Sequence, residues 1–207
     1  WNDYFTVTNP TNYNSTTYTS GQTLSGTSVY VSNCLFRSCT SSNRGGAIYC
    51  TSVSYFLVES SSFFSCKTSS NYGGAIFFSN GNGQCVLHEV CGYNCYSTRA
   101  GYSYYQFAYI QVNNAASSKN YVNYSSISRC VSEISGSNPT LYLFYGKICC
   151  PSVNISMNKC YYRPGISCEP YSDSNSVTCS LTYSTFTDNN ATGYTCILFA
   201  AGGAQYE

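Results

Sequence analysis

Residues 36–49 read FRSCTSSNRGGAIY, and residues 63–77 read FFSCKTSSNYGGAIF. Each copy is Phe-x-x-Cys, a polar Ser/Asn run, then Gly-Gly-Ala-Ile and an aromatic residue. Phe36 to Phe63 is 27 residues and Gly45 to Gly73 is 28, so one copy holds a single inserted residue. A repeat of this length points to a solenoid, in which each unit is too small to fold alone and buries its apolar face against its neighbours.

Outward from these copies the pattern decays but persists. Residues 86–90 lead into Tyr93 and Cys95, which lies 29 residues after Cys66. Residues 122–124 lead into Ile127-x-x-Cys130 after a step of 35, and 153–155 into Met157-x-x-Cys160 after 30. Residues 177–181 then lead into Phe186-x-x-Asn189, 29 further on. Three short strands per repeat, separated by polar turns, describe one rung of a parallel β-helix climbing about 4.8 Å at a time. The expected fold is therefore all-β: a right-handed, single-stranded parallel β-helix with about six to seven coils of 27–35 residues. It forms one domain over 1–207, with clear coils from about residue 29 and a weak first coil in 1–28. Within that first coil, 4–8 (YFTVT) alternates like a strand and 10–20 reads as polar turns. Segments 115–120 and 163–175 are expected to bulge out as loops. An antiparallel sandwich competes, but its strands would not repeat one motif six times.

Matching positions should stack. Phe36, Phe63, Tyr93, Ile127, Met157 and Phe186 form the expected core column, and Ile48, Ile76 and Ile197 a second one. The pairs Gly45-Gly46, Gly73-Gly74 and Gly202-Gly203 mark coil corners, where a positive φ or close chain approach excludes a Cβ. Cys39, Cys66, Cys95, Cys130 and Cys160, completed by Asn189, make a Cys column. The row just before it, Ser38, Ser65, Asn94, Arg129, Lys159 and Asp188, reads as a solvated face.

Repeats of Gly-Gly-Ala-Ile with Phe-x-x-Asn resemble those of the chlamydial polymorphic outer-membrane protein family and related β-helix proteins on protist surfaces. The literal GGAI stands at 45–48 and 73–76, GGA at 202–204, and F-x-x-N at Phe186–Asn189; elsewhere Cys takes the Asn position. The resemblance implies a β-helix involved in adhesion or surface structure. The C-terminal membrane barrel typical of that family has no counterpart in this sequence.

Composition narrows function. A net charge of +1 with 8% charged residues argues against a nucleic-acid surface or an electrostatic membrane patch. The 14 cysteines (Cys34, Cys39, Cys50, Cys66, Cys85, Cys91, Cys95, Cys130, Cys149, Cys150, Cys160, Cys168, Cys179 and Cys196) are disulfide candidates and point to an oxidising compartment. Zinc would need close Cys/His pairs, and His88 is the sole histidine. Rung-to-rung bridges along the Cys column fit the Cα separations a disulfide accepts, and a buried thiol ladder is the other reading. The sequons at Asn14, Asn123, Asn154 and Asn190 agree with N-glycosylation and an extracellular or cell-surface location. Residues 141–145 and 196–201, the longest apolar stretches, are too short to span a bilayer. The chain opens at Trp1 without a signal-like segment, as in a processed protein or a fragment.

No catalytic residue, metal ligand or cofactor is assigned. A carbohydrate-active enzyme would need two facing carboxylates, and Glu59 and Glu89, 30 residues apart, are the best pair in the sequence. Tyr and Asn on exposed rungs would suit glycan binding through stacking and amide hydrogen bonds. No helical cap is evident at either end, and uncapped rungs expose strand edges. The expected function is a secreted, disulfide-bonded, glycosylated structural or adhesive protein. Its first partner is itself, stacked end to end in a filament, with glycans or a host or cell surface as further partners. A polysaccharide-binding or polysaccharide-degrading β-helix is the alternative.

Overall fold

The computed structural model describes residues 1–99, 105–130, 139–172, 177–194, 198–200 and 205–206. All regular structure in it is strand, and every strand pairing is parallel. The chain winds through three long sheets in turn. The first has eight strands, from Thr11–Asn14 to Gln205–Tyr206; the second has seven, from Thr17–Tyr18 to Thr185–Thr187; the third has seven, from Gln22–Leu24 to Leu198–Ala200. Two smaller sheets, Thr40–Ser41, Lys67–Thr68 and Tyr96–Ser97, then Lys159–Tyr162 with Asn190–Tyr194, fill the corner between the second and third. The expected parallel β-solenoid is what forms. About five turns are complete among the described residues, slightly fewer than the sequence spacing indicates; the first rung has no strand at that corner.

Alternation within each strand builds the core. In the first sheet Val29, Phe56, Cys85, Asn120, Ile148 and Cys179 share one inward row. Val31, Val58, Leu87, Val122 and Cys150 fill a parallel row and are fully buried. In the third sheet Ile48, Ile76, Ala108, Leu141 and Ile166 stack in register. Leu198 pairs with Ile166, whereas Ile197 lies outside the described residues.

The second sheet corrects the core column. Register runs Tyr18, Phe36, Phe63, Gly92, Ile127, Ile155, Phe186. Tyr18, Phe36 and Phe63 stack with centroids 4.9 and 4.7 Å apart. Tyr93 pairs with Phe64 on the outer face and is 36% exposed. Met157 sits on a corner, 42% exposed. Gly92 takes the column position because a Cβ there would lie 2.4 Å from the Phe107 ring. Phe107 occupies the place of Ala47 and Ala75 in earlier rungs, just before the strand of the third sheet. A large residue has moved from one wall to the other.

Two kinds of corner turn the chain. Asn33, Ser60, Glu89, Tyr124 and Ser152 follow the first sheet, and Ser38, Ser65, Asn94, Arg129, Met157 and Asp188 follow the second; all have φ between 44° and 55°. Such a residue throws its side chain outward, which is why Tyr124 and Met157 are exposed. The outward row therefore holds Met157 where Lys159 was expected; Lys159 lies in a strand, paired with Asn190. The Gly-Gly corners divide their labour. Gly45 and Gly73 adopt φ of 70° and 65°, while a Cβ on Gly46 or Gly74 would sit 2.1 or 2.3 Å from a carbonyl oxygen of the next rung. Gly202 and Gly203 lie outside the described residues.

Three further expectations change. Residues 4–8 are not a strand: the chain turns at 2–4, with the Trp1 carbonyl accepting from the Tyr4 and Phe5 amides, and the segment lies against the outer face of the first sheet. Asn120 belongs to the strand Lys119–Asn123, so the bulge at 115–120 is shorter. The strand Ile166–Glu169 falls inside 163–175 and pairs with Leu141–Phe144.

Candidate functional surfaces

The Cys column is built from the corners upward. A left-handed residue turns the chain, and the next side chain swings back under the preceding rung. There Cys39, Cys66 and Cys95 place their thiols 3.3, 3.5 and 3.5 Å from the carbonyls of Tyr18, Phe36 and Phe63. Asn158 and Asn189 do the same with their amides, donating to Ile127 and Ile155 at 3.1 and 2.7 Å. The Asn158 and Asn189 side-chain oxygens accept from the amides of Cys130 and Asn158. The column is therefore Cys39, Cys66, Cys95, Cys130, Asn158, Asn189, and Cys160 stands two residues past it, in a strand. In Cys39, Cys66, Cys95, Asn158 and Asn189, thiol and amide fill one role, a donor to the rung before, while the Cys130 thiol lies 3.6 Å from the Ser128 carbonyl of its own rung.

All the described cysteines are free thiols. In the column Cys39, Cys66 and Cys95 also lie close enough to interact thiol to thiol, rung to rung. Burial pushes the Cys50 and Cys130 thiols up to about 12, and raises Cys85 and Cys150 well above the ordinary thiol range. These are poor nucleophiles at neutral pH. Only Cys91 and Cys149 among the described cysteines are part-exposed. Cys196 lies outside the described residues.

The segment 1–9 covers a polar cluster that the sequence did not announce. Phe5 is buried against Leu57 and Val86, with Trp1, Tyr30, Tyr55 and Tyr121 around it. Beside it the Tyr4 hydroxyl lies 2.8 Å from His88 Nδ1 and accepts from Asn123 Nδ2 at 3.2 Å. His88 Nε2 is 3.8 Å from Glu89, and the Tyr30 hydroxyl donates to Glu59. His88 lies in the strand Gln84–His88 with these partners. Its cross-strand neighbour is Glu59, so Glu59 and Glu89 do not share a row; Glu89 is a corner residue that accepts from Ser60 at 2.7 Å. Burial raises the Tyr4 phenol, which favours its protonated form. The apolar spacing in WNDYF is the one signal that could have flagged the segment.

The sequons divide by exposure. Asn14, Asn154 and Asn190 are exposed. Asn123 is 8% exposed and its amide is engaged with Tyr4, so the folded chain leaves no room for a glycan there.

Two aromatic surfaces differ in kind. Outside the third sheet Tyr49, Phe77, Tyr109 and Tyr142 stack at 5.3–5.5 Å, and Tyr72 and Tyr105 lie over them. Their ring faces are spent on each other. Outside the second sheet, shallow adjoining grooves of about 440 and 510 Å³ share the exposed Tyr93. Leu35, Arg37 and Phe64 line one, and Asn94, Arg129 and Met157 the other.

At the first rung, Thr11–Asn14, Thr17–Tyr18 and Gln22–Leu24 each have a partner strand on one side only among the described residues, and Thr11, Asn12 and Asn14 are exposed. Among the described residues no group of three His, Cys, Asp or Glu side chains could hold a metal, and no helix is long and apolar enough to cross a membrane. No protein family, curated protein or solved structure matches the chain. Its class rests on architecture: a parallel β-solenoid protein.

Proposed function

We propose that the protein is a structural or adhesive scaffold of the cell exterior that associates end to end with copies of itself. The observation that carries this reading is the first rung, whose three strands have a partner on one side only among the described residues and so leave an open edge, a template for strand addition. A head-to-tail contact of this kind does not close on itself and gives a filament. Exposed sequons at Asn14, Asn154 and Asn190 suit a glycosylated surface protein. The likeness of the GGAI and F-x-x-N repeats to those of the chlamydial outer-membrane family and protist surface β-helices supports the adhesive role. Electron microscopy and sedimentation across a concentration series test it. Filaments are expected for the parent protein and short particles for Asn12→Lys with Thr17→Lys, which place charge on the open edge. Monodisperse particles of the parent at every concentration would sink the proposal.

A second reading, glycan binding, is favoured by the grooves around Tyr93. Its ring stands beside Arg37, Asn94 and Arg129, a mix of stacking face and hydrogen-bond donors suited to sugars. On a glycan array, Tyr93→Ala should remove whatever binding the parent shows.

A further inference from the structure

Outside the third sheet, tyrosines from successive rungs gather in one stack. Tyr105 and Tyr142 stack with ring centroids 4.6 Å apart and planes inclined by 23°, the shortest contact in the cluster. Tyr72 lies 5.3 Å beyond Tyr105, and Tyr109 lies 5.4 Å from Tyr142. The tyrosines come from the corner loops and from neighbouring strands, so the solenoid holds together rings far apart in sequence.

We propose that Tyr105 and Tyr142 are a site of oxidative cross-linking, joined as dityrosine by hydrogen peroxide and a haem peroxidase. Each phenol gives up one electron and its phenolic proton. The two tyrosyl radicals couple through their ortho carbons, forming one carbon–carbon bond; the two ortho hydrogens then leave as protons while both oxygens regain theirs. In sum, two tyrosines and one peroxide give one dityrosine and two waters.

Three observations favour this pair. Proximity replaces a bimolecular encounter of two radicals by a contact already formed. Glu169, on the strand paired with that of Tyr142, bears on this phenol and offers a carboxylate for the proton that leaves with the electron. Tyr105 and Tyr109 are half-buried, so an oxidant reaches the edge of the stack while Tyr142 remains sheltered from competing partners. Burial, with the nearby Glu169 carboxylate, raises the Tyr142 phenol, and burial pushes Tyr109 to about 12, so the rings stay protonated and react as neutral phenols.

The test treats the whole protein with hydrogen peroxide and a haem peroxidase, then reads dityrosine fluorescence and maps cross-linked peptides by mass spectrometry. Dityrosine is expected within the monomer, in a peptide pair joining Tyr105 to Tyr142. Tyr105→Phe and Tyr142→Phe keep the ring packing and should each remove that product, with circular dichroism confirming the fold. Tyr124→Phe, at an exposed corner, should leave it unchanged, and denaturant should abolish it. Dityrosine found only between molecules, mapped to other tyrosines, or formed equally in denaturant would overturn the assignment. Filament formation is read separately, so either proposal can fail alone.

Discussion

Gly92 and Phe107 are one packing unit written at two positions. Phe107 fills the space that a column side chain would take, and it meets Phe63 edge-on with centroids 5.9 Å apart. Phe107→Ala should cost about 3–5 kcal/mol, since Gly92 supplies nothing to fill the void. Gly92→Phe alone should be overpacked and also destabilising. Together they restore the arrangement of the preceding rung, so the double variant should be more stable than the sum of the two losses predicts. Denaturant unfolding of all four proteins checks this, and additive losses would refute the coupling.

The same residues show what a sequence discloses. Phe36 and Phe63 are legible because their rungs agree in length, and both lie where the repeat puts them. Tyr93 and Met157 mislead because alignment to the next cysteine favours the larger apolar residue, whereas Gly92 and Ile155 hold the register. Ile155-x-x-Asn158 is the sixth rung's motif, hidden by the nearby match of Met157-x-x-Cys160. A left-handed corner tolerates many residue types when its side chain points to solvent, so Glu89, Arg129 and Met157 leave no compositional mark. The Gly-Gly pairs are the exception, because Gly46 and Gly74 have no space for a Cβ.

At the scale of the element, the corner column is a ladder of donors in which the chain has used both sulfur and amide. Asn158 and Asn189 occupy successive rungs and bond each other, so two amides fit the spacing. Cys130→Asn, beside Asn158, should keep the melting temperature at or above that of the parent. Cys130→Val, which has no donor, should lower it. The reverse order would mean that the thiols are there as apolar fillers and not as donors.

At the scale of the whole molecule, stability should fail at high pH through the tyrosines. Burial raises Tyr109 and Tyr121 from an ordinary 10.0 to about 12, so the folded chain holds protons that the unfolded chain releases. This contribution is complete below pH 10 and is lost as pH rises through about 12. Tyrosinate absorbance and the loss of the β-sheet circular dichroism signal should therefore rise together across that window. Full ionisation with the sheet signal intact would contradict it. Because each rung touches only its neighbours, the loss should begin in particular rungs and spread.

The exchange between Gly92 and Phe107 has one more consequence, for how such a gene can change. Repeats invite unequal recombination, and most breakpoints between similar turns would merely lengthen or shorten the stack. A crossover falling between these two positions joins Phe63 to Phe107 in a single turn, or Gly92 to Ala75, leaving either two rings or none in the same space. Turns can be inherited whole at this place, but not in halves.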